Sequence, residues 1–453
     1  METLQSVRSK LRAVNKDVSA FLDVFVDDKS FVETDALMCS STEFGDATGE
    51  GVISGIAQIN NNAVAIFATN AAVFKGAIGA LGAKKIIRTV NNALSTRKPL
   101  IAVWDTSGAR IAEGIECLEG YSDMLRAFAI AHEQVPVISI IKGNNLGISA
   151  YLSEFSDFVL ACPEAVSATA SPLVLSAKAG VPESAVGGAK VLAERGIVTN
   201  IVKKNEIKGL LNKILDIFCG NEVRGGDDLN RVCKGLKAGS NCSAVIKQVV
   251  DKDTFFEVRE NFASVVKTGF AMLADTYVGI VAVDGAVDGG RLTVDACIKI
   301  ERIIETCENA EIPVIFFVDS VGTAQSGDDT ALIREMARLI YNVNLITVDL
   351  HCVIFGKAIG GAYSALVSPC DYKLAWENAE LGVMESEAAA RLEYADEIKS
   401  AKDKDKAAAK FAAAYASENS NAVYVARGGK LDNVIEPNLT RSYLISALLA
   451  RVE

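Results

Sequence analysis

Apolar and polar residues alternate along "GVISGIAQINNNAVAIFA" (51–68) and again along "GFAMLADTYVGIVAV" (269–283), the two-residue period of half-buried strands. Downstream of each, the period lengthens to that of an amphipathic helix, in "GAKKIIRTVNNALS" and "VDACIKIERIIETCENA". Each helix hands over to a β-branched run that ends in Asp-x-x-Gly, "PLIAVWDTSG" and "PVIFFVDSVG". A second helix follows ("YSDMLRAFAIAHEQ", "TALIREMARLIYN"), then another apolar strand ("VPVISIIKG", "LITVDLHCVIFG"). A glycine turn then opens a further helix, in "LGISAY" and in "IGGAY". Strands alternating with helices predict an α/β fold with mainly parallel pairing.

The two series are copies. An offset of 214 residues superimposes Gly55 on Gly269, Pro99 on Pro313, Asp105 on Asp319, Gly108 on Gly322, Gly147 on Gly361 and Asp157 on Asp371, without a gap and in matching apolar contexts. The chain therefore reads as two related domains, 1–218 and 244–453. The polar, Gly-rich segment 219–243 serves as a linker between them. The Ala/Lys-rich stretch "DEIKSAKDKDKAAAKFAAAYASEN" reads as exposed helix whose acids offset its lysines.

Length agrees, since 453 residues exceed one ordinary core. The net charge of −11 argues against nucleic acid or an anionic membrane as partner. None of the ten cysteines forms a CxxC, so they read as small buried thiols in a reducing compartment. With no signal peptide and no membrane-length apolar run, a cytoplasmic location is expected.

Few side chains offer chemistry. His132 reads as a helix-end residue and His351 as a core residue, and neither belongs to a metal cluster, so no metal is expected. No GxGxxG follows a first strand, and both a P-loop and a Gly-x-Ser-x-Gly elbow are absent. What repeats is glycine at strand ends: Gly108 and Gly147 in the first copy, Gly322 and the Gly360–Gly361 pair in the second. One reading is close strand–helix packing. The other is a pair of oxyanion holes, in which unpaired N–H groups at helix starts hold carbonyl oxygens as they gain charge.

A resemblance bears on the choice. "DDKSFVETDAL", "DTSGARIAEGIECLEGYSDML", "ESAVGGAK", "FFEVRENFASVVKTGFA", "KAIGGAY", "AWENAELGVM" and "LDNVIEPNLTRSYLISAL" are similar to segments of the carboxyltransferase subunits of biotin-dependent acyl-CoA carboxylases, over nearly the whole chain. The resemblance implies two tandem crotonase-like (ClpP/crotonase superfamily) β-β-α spiral domains, dimers that build a hexamer, acyl-CoA bound by the N-terminal half and biotin by the C-terminal half. Carried over by position, the amides of Gly147 and Ile148 would face the thioester carbonyl, and those of Gly361 and Ala362 would hold the ureido oxygen of biotin. Gly108, Ala109, Gly322, Thr323, Gly360 and Ser364 would line the substrates. The catalytic base would come from biotin itself, delivered by a biotin carboxyl carrier protein and charged by a biotin carboxylase subunit.

Three departures stand out. The first hole reads Gly147-Ile148-Ser149 where the family carries Gly-Gly-Ala, so the Ile148 side chain is expected to crowd the site. Ser364 occupies a position where propionyl-type enzymes carry Asp, and the loop "GTAQSGDDTALIREMA" is shorter than its family counterpart. The substrate thus stays open between propionyl-/methylmalonyl-CoA and acetyl-/malonyl-CoA. Competing readings are the same subunit in a sodium-pumping membrane decarboxylase, a biotin-independent malonate decarboxylase relative, and a non-catalytic scaffold paralogue.

Overall fold

A computed structural model describes residues 3–42, 45–220, 226–324 and 329–450. The chain forms two compact units, Met1–Asn221 and Glu222–Glu453. In the first, the sheet is built from β1 (Val32–Glu33), β2 (Val52–Ile59), β3 (Asn62–Thr69), β4 (Leu100–Thr106), β5 (Val137–Leu146), β6 (Phe158–Ala161), β7 (Val166–Ala168) and β8 (Asn200–Ile201). Its order is β1-β2-β3-β4-β5-β6-β8, with β7 added alongside the end of β5. The β1/β2 and β2/β3 pairs are antiparallel and every later pair is parallel. Three helices carry the repeat in this unit: α1 (Ala80–Thr96), α2 (Ile115–His132) and α3 (Ile148–Glu154).

The second unit repeats this plan. Its strands are β9 (Phe256–Val258), β10 (Val266–Leu273), β11 (Thr276–Val283), β12 (Val314–Ser320), β13 (Leu350–Ile359), β14 (Tyr372–Trp376), β15 (Glu380–Gly382) and β16 (Asn433–Ile435). Their order is β9-β10-β11-β12-β13-β14-β16, with β15 beside β13. The corresponding helices are α4 (Val294–Asn309), α5 (Asp329–Leu345) and α6 (Gly361–Leu366). Most of the chain keeps the 214-residue offset, with β2 on β10, β3 on β11 and β4 on β12. At β5 and β13 the offset falls to 213. It returns to 214 at β6 and β14, because five residues (367–371) follow α6 where three (155–157) follow α3, which outweighs the one-residue-shorter helix.

The central strands are apolar on both faces because helices cover one face and the remaining layer the other. Leu100 to Trp104 and Val314 to Val318 are all fully buried. In the first unit Trp104 packs edge-on against Phe67, with ring centroids 5.1 Å apart, beneath α1 and α2. At the start of each fourth core strand the Asp157 and Asp371 carboxylates accept the N–H groups of Val137 and Leu350, at 2.8 and 2.9 Å. That shared job explains why both aspartates recur in the repeat.

Two expectations need adjustment. The 219–243 segment does not stand free from Gly226 onward: Cys233 and Cys242 lie fully buried in the second unit's core. Arg231 anchors this stretch by donating to the carbonyls of Gln248 and Val250, each at 2.7 Å, and by pairing with Asp227. Polar composition conceals order that comes from buried ion pairs. The Ala/Lys-rich stretch is also not one helix. It breaks between Ala395–Ser400 and Lys404–Tyr415, where the Asp403 carboxylate caps the second piece by accepting the Lys406 N–H at 3.1 Å. Residues 325–328 of the short "GTAQSGDDTALIREMA" loop lie outside the described residues.

Each unit also buries a lysine in its first long helix. Lys85 and Lys299 are one offset apart and 0 % and 1 % exposed. Lys85 Nζ donates to the carbonyls of Val52 and Gly49, and Lys299 Nζ donates to the Phe262 carbonyl at 2.6 Å. Burial pulls Lys299 down from 10.5 to about 8. The folded chain then releases the proton from about pH 8, whereas the unfolded chain holds it to about 10.5. Between those values the unfolded state binds more protons, so this group makes stability rise with pH. Denaturant titrations from pH 7.5 to 10 should show Lys299→Met gaining less stability with pH than the parent chain. Parallel curves would mean that Lys299 titrates normally.

Candidate active site

The glycine turns are shaped by a bulge that occurs once in each unit. Between β4 and β5, Trp104 pairs with Ile141 and Thr106 with Asn145, so three residues of β5 stand opposite Asp105 alone. Between β12 and β13, Val318 pairs with Ile354 and Ser320 with Ala358, leaving three residues opposite Asp319. The carboxylate fills each gap. Asp105 Oδ1 accepts the Asn144 N–H at 3.2 Å, and Asp319 Oδ1 accepts the Lys357 N–H at 2.8 Å. Gly143 and Gly356 lie directly against these carboxylates, where a Cβ would collide. Asp105 also pairs with Lys142 Nζ at 2.9 Å. Burial raises Asp319 above its ordinary range, against the opposing pull of the Lys357 N–H and charge. Lys357 turns its ammonium to Glu385, 2.6 Å away, and to Glu380, 3.8 Å away.

Beyond each bulge the strand runs into a helix through a left-handed glycine. Gly147 has φ 71° and ψ −135°, and Gly360 has φ 54° and ψ −121°, backbone that side chains avoid. The structure thus matches Gly147 with Gly360, one residue away from the Gly361 indicated by a constant offset. The N–H groups of both glycines are occupied: Gly147 donates to the Ala168 carbonyl at 2.8 Å and Gly360 to the Gly382 carbonyl at 2.9 Å. These bonds hold β7 and β15 beside the turn. The outward amides are the next ones, Ile148 and Gly361, in a first helical turn that supplies no carbonyl partner. Ala362 follows with its side chain fully buried.

A second amide arrives from the neighbouring strand. Thr106 Oγ1 donates to the Gly76 carbonyl at 2.7 Å and accepts the Gly108 N–H at 3.0 Å. Ser320 Oγ does the same with the Gly290 carbonyl and the Gly322 N–H, at 2.6 and 3.1 Å. A single bridge comes next in each unit. Ile78 N–H bonds the Gly108 carbonyl and Arg110 N–H bonds the Ile78 carbonyl, at 2.9 and 3.0 Å. The Leu292 bonds to Gly322 and Ala324 are equivalent, each at 2.9 Å. In a parallel bridge the middle residue's own N–H faces the other way, so Ala109 and Thr323 turn theirs away from the bridge. Close approach joins the two pieces. A Cβ on Gly108 would stand 2.8 Å from the Leu146 carbonyl oxygen, and one on Gly361 would stand 3.2 Å from Thr323 Cγ2. Each unit thus offers two candidate outward amides at neighbouring segments, those of Ala109 and Ile148 in the first and of Thr323 and Gly361 in the second. Such a pair of donors suits an oxygen that gains negative charge.

The remaining expected residues fall around these pairs. Ser364 is exposed, one turn into α6, with its hydroxyl 3.4 Å from the Gly360 carbonyl. Ile148 does not stand in open space, because its half-buried side chain packs against the first unit's core cluster. His351 is fully buried, and among the described residues no three metal-binding side chains gather. No helix is long and apolar enough to cross a membrane among the described residues.

Sequence reasoning left several supporting residues unassigned. Asp105 and Asp319 were visible as repeat positions, but their job depends on a bulge that no periodicity reveals. Arg110 and Glu113 sit in the most specific motif, and their ion pair, 2.7 Å long, exists only once the turn is formed. Glu50, in "TGEG", carried no signal beyond two flanking glycines.

Comparisons with known proteins agree over nearly the whole length. The carboxyl transferase domain family matches residues 18–453. The propionyl-CoA carboxylase carboxyltransferase subunit of Haloferax mediterranei is 32% identical, over 94% of this chain and 88% of its own. The methylmalonyl-CoA decarboxylase subunit alpha of Propionigenium modestum is 29% identical, over 93% of this chain and 87% of its own. The crystal structure of transcarboxylase 12S, a hexamer assembly with methylmalonyl-CoA and methylmalonic acid bound, superposes with a TM-score of 0.89 and 28% identity. That match covers 97% of this chain and 91% of the other. The α/β, crotonase-like architecture expected from the resemblance is the one observed.

Ile148→Gly should lower the unfolding free energy by about 2 kcal/mol through lost packing and added backbone freedom, as read by denaturant titration. Unchanged stability would mean that the side chain projects into the open site instead.

Proposed function

This chain belongs to the carboxyl transferase domain family, and on that premise we propose that it is the carboxyltransferase subunit of a biotin-dependent acyl-CoA carboxylase. It moves a carboxylate between biotin on a partner carrier protein and the α-carbon of a short acyl-CoA. The observation that carries the reading is the double hole: one chain builds the same two-amide device twice, as expected when two carbonyl compounds exchange a group. The names of its relatives favour propionyl- and methylmalonyl-CoA, with acetyl- and malonyl-CoA as the alternative pair.

In this proposal domain 1–218 takes acyl-CoA and domain 244–453 takes biotin. Ala109 and Ile148 donate their N–H groups to the thioester oxygen, which gains charge as the α-carbon becomes an enolate. Thr323 and Gly361 hold the ureido oxygen of biotin. The residues fit that group: a flat ring needs backbone to come close, and a Cβ on Gly361 would press on Thr323 Cγ2 at 3.2 Å and Met336 Cε at 3.3 Å. Carboxybiotin, when bound, supplies the carboxyl group and, once relieved of it, the nitrogen that takes the α-proton. The chain's own contribution is to hold both oxygens in fixed dipoles and to align the partners. Gly108, Gly322 and Gly360 permit the close approach, and Gly147 positions the first helix. Ser364, exposed beside the second turn, faces the substrates.

The partners implied are a biotin carboxyl carrier protein and a biotin carboxylase, around a dimer-based hexamer of this subunit in the cytoplasm. A second reading has specific support. The Propionigenium modestum relative is a methylmalonyl-CoA decarboxylase subunit, and the same pair of holes would serve the reaction run towards CO2 release beside a membrane partner.

The test is carboxyl transfer from methylmalonyl-CoA and from malonyl-CoA to free biotin. Carboxybiotin formed from either donor is expected, at a higher rate from methylmalonyl-CoA. No transfer from either donor would return the scaffold reading. Gly361→Val should slow transfer about a hundred-fold or more while leaving acyl-CoA affinity within about two-fold. An equal loss of acyl-CoA affinity would overturn the placing of biotin in the second domain.

A further inference from the structure

The first unit contains a charged cluster built on an ion pair, Glu50 with Arg110, that its copy cannot form. Glu50 is 0 % exposed and Arg110 is 5 % exposed. Arg110 Nη1 donates to Glu50 Oε2 at 3.1 Å, to Glu113 Oε1 at 2.7 Å and to Ser40 Oγ at 3.0 Å. Its Nη2 donates to the Ala77 carbonyl at 3.3 Å, and the guanidinium lies 5.4 Å from the centre of the Phe74 ring. Glu113 also accepts the N–H of Ala80, the first residue of α1, at 2.6 Å. Gly79, lacking a Cβ, leaves the space these side chains fill.

Glu50 itself is held in an unusual way. Gly49, Glu50 and Gly51 have φ of 64°, 59° and 64°, three left-handed residues in succession. A left-handed glutamate persists where its surroundings fix it. Here the Ser40 N–H binds one carboxylate oxygen, Arg110 binds the other, and Lys85 ties down the Gly49 carbonyl. One offset further on, the places of Glu50 and Arg110 are taken by Ser264 and Ala324, which cannot form this pair.

Arg110 is bonded to Ala109 through one peptide unit, and its N–H closes the bridge that turns the Ala109 N–H outward. We propose that Glu50 is a positioning residue of the first hole: its buried carboxylate locks Arg110, and through it the direction of the Ala109 N–H. It touches no substrate. This inference rests on the carboxyltransferase reading for its kinetic consequence. Its structural consequence is independent of that reading. The second hole, lacking the pair, does not depend on it.

Glu50→Gln keeps the size and an acceptor but removes the charge that fixes the guanidinium. In the methylmalonyl-CoA to biotin assay, kcat should fall about ten- to a hundred-fold with KM for biotin and the melting temperature unchanged. Arg110→Gln should cost a similar factor, and the double variant no more than the larger single loss. Hydrogen exchange read by mass spectrometry should speed up about ten-fold over residues 107–112 and stay unchanged over 320–324. Wild-type kcat in the variant would overturn the proposal. So would a fall in kcat matched by a fall in melting temperature with unaltered local exchange, since that describes a purely structural carboxylate. If the parent chain transfers nothing yet the exchange change is observed, the carboxyltransferase reading fails while the lock stands.

Discussion

Asp105 and Asp319 each place a carboxylate in a gap between parallel strands, and the rest of the site depends on that placement. A parallel ladder left undisturbed would carry its register straight to the strand end, with every amide paired. Three residues opposite one force β5 and β13 to arch, and the arch needs an acceptor for the N–H it strands. The carboxylate supplies it. The bent strand then enters its helix through a left-handed glycine beside the end of the neighbouring strand. Without the bulge the two amides proposed for each hole would belong to different neighbourhoods.

The two units share this scaffold and differ in how they secure it. In the first, charge is concentrated around the strand-end amide, through Glu50, Arg110 and Glu113. In the second, charge lies on the helix-start side, where Lys357 meets Glu385 and Glu380 just ahead of Gly360. The hydroxyl latch of Thr106 and Ser320 is common to both. A duplicated frame thus carries different ion pairs in its two copies.

Much of this was legible in the sequence. The change from a two-residue to a helical period located the strands and helices of both copies, and the shared offset exposed the repeat. The strand ends were less visible. "VPVISIIKG" suggests a strand that stops near Gly143, whereas β5 runs on to Leu146 because the bulge prolongs it. The offset is already 213 where β5 and β13 begin, so Gly361 is matched by Ile148 and not by Gly147. Contacts between distant side chains were out of reach. Glu50 and Arg110 are 60 residues apart, and only the folded turn brings them to 3.1 Å. The order in 226–243 was hidden for a related reason, since Gly-rich polar composition gives no hint of the carbonyls that Arg231 finds.

At each helix start, conformation and donation fall to different residues. The left-handed backbone belongs to Gly147 and Gly360, and the residue after it gives only its N–H. In the first unit that residue is isoleucine, whose half-buried side chain packs in part against the core. On the proposed reading only proline would be excluded there, for want of a donor. In both units of this chain the proposed donor follows a positive-φ glycine and lies beyond an aspartate that bends the strand. The run of small residues often sought at such sites describes how near a ligand can come, and the donor exists without it.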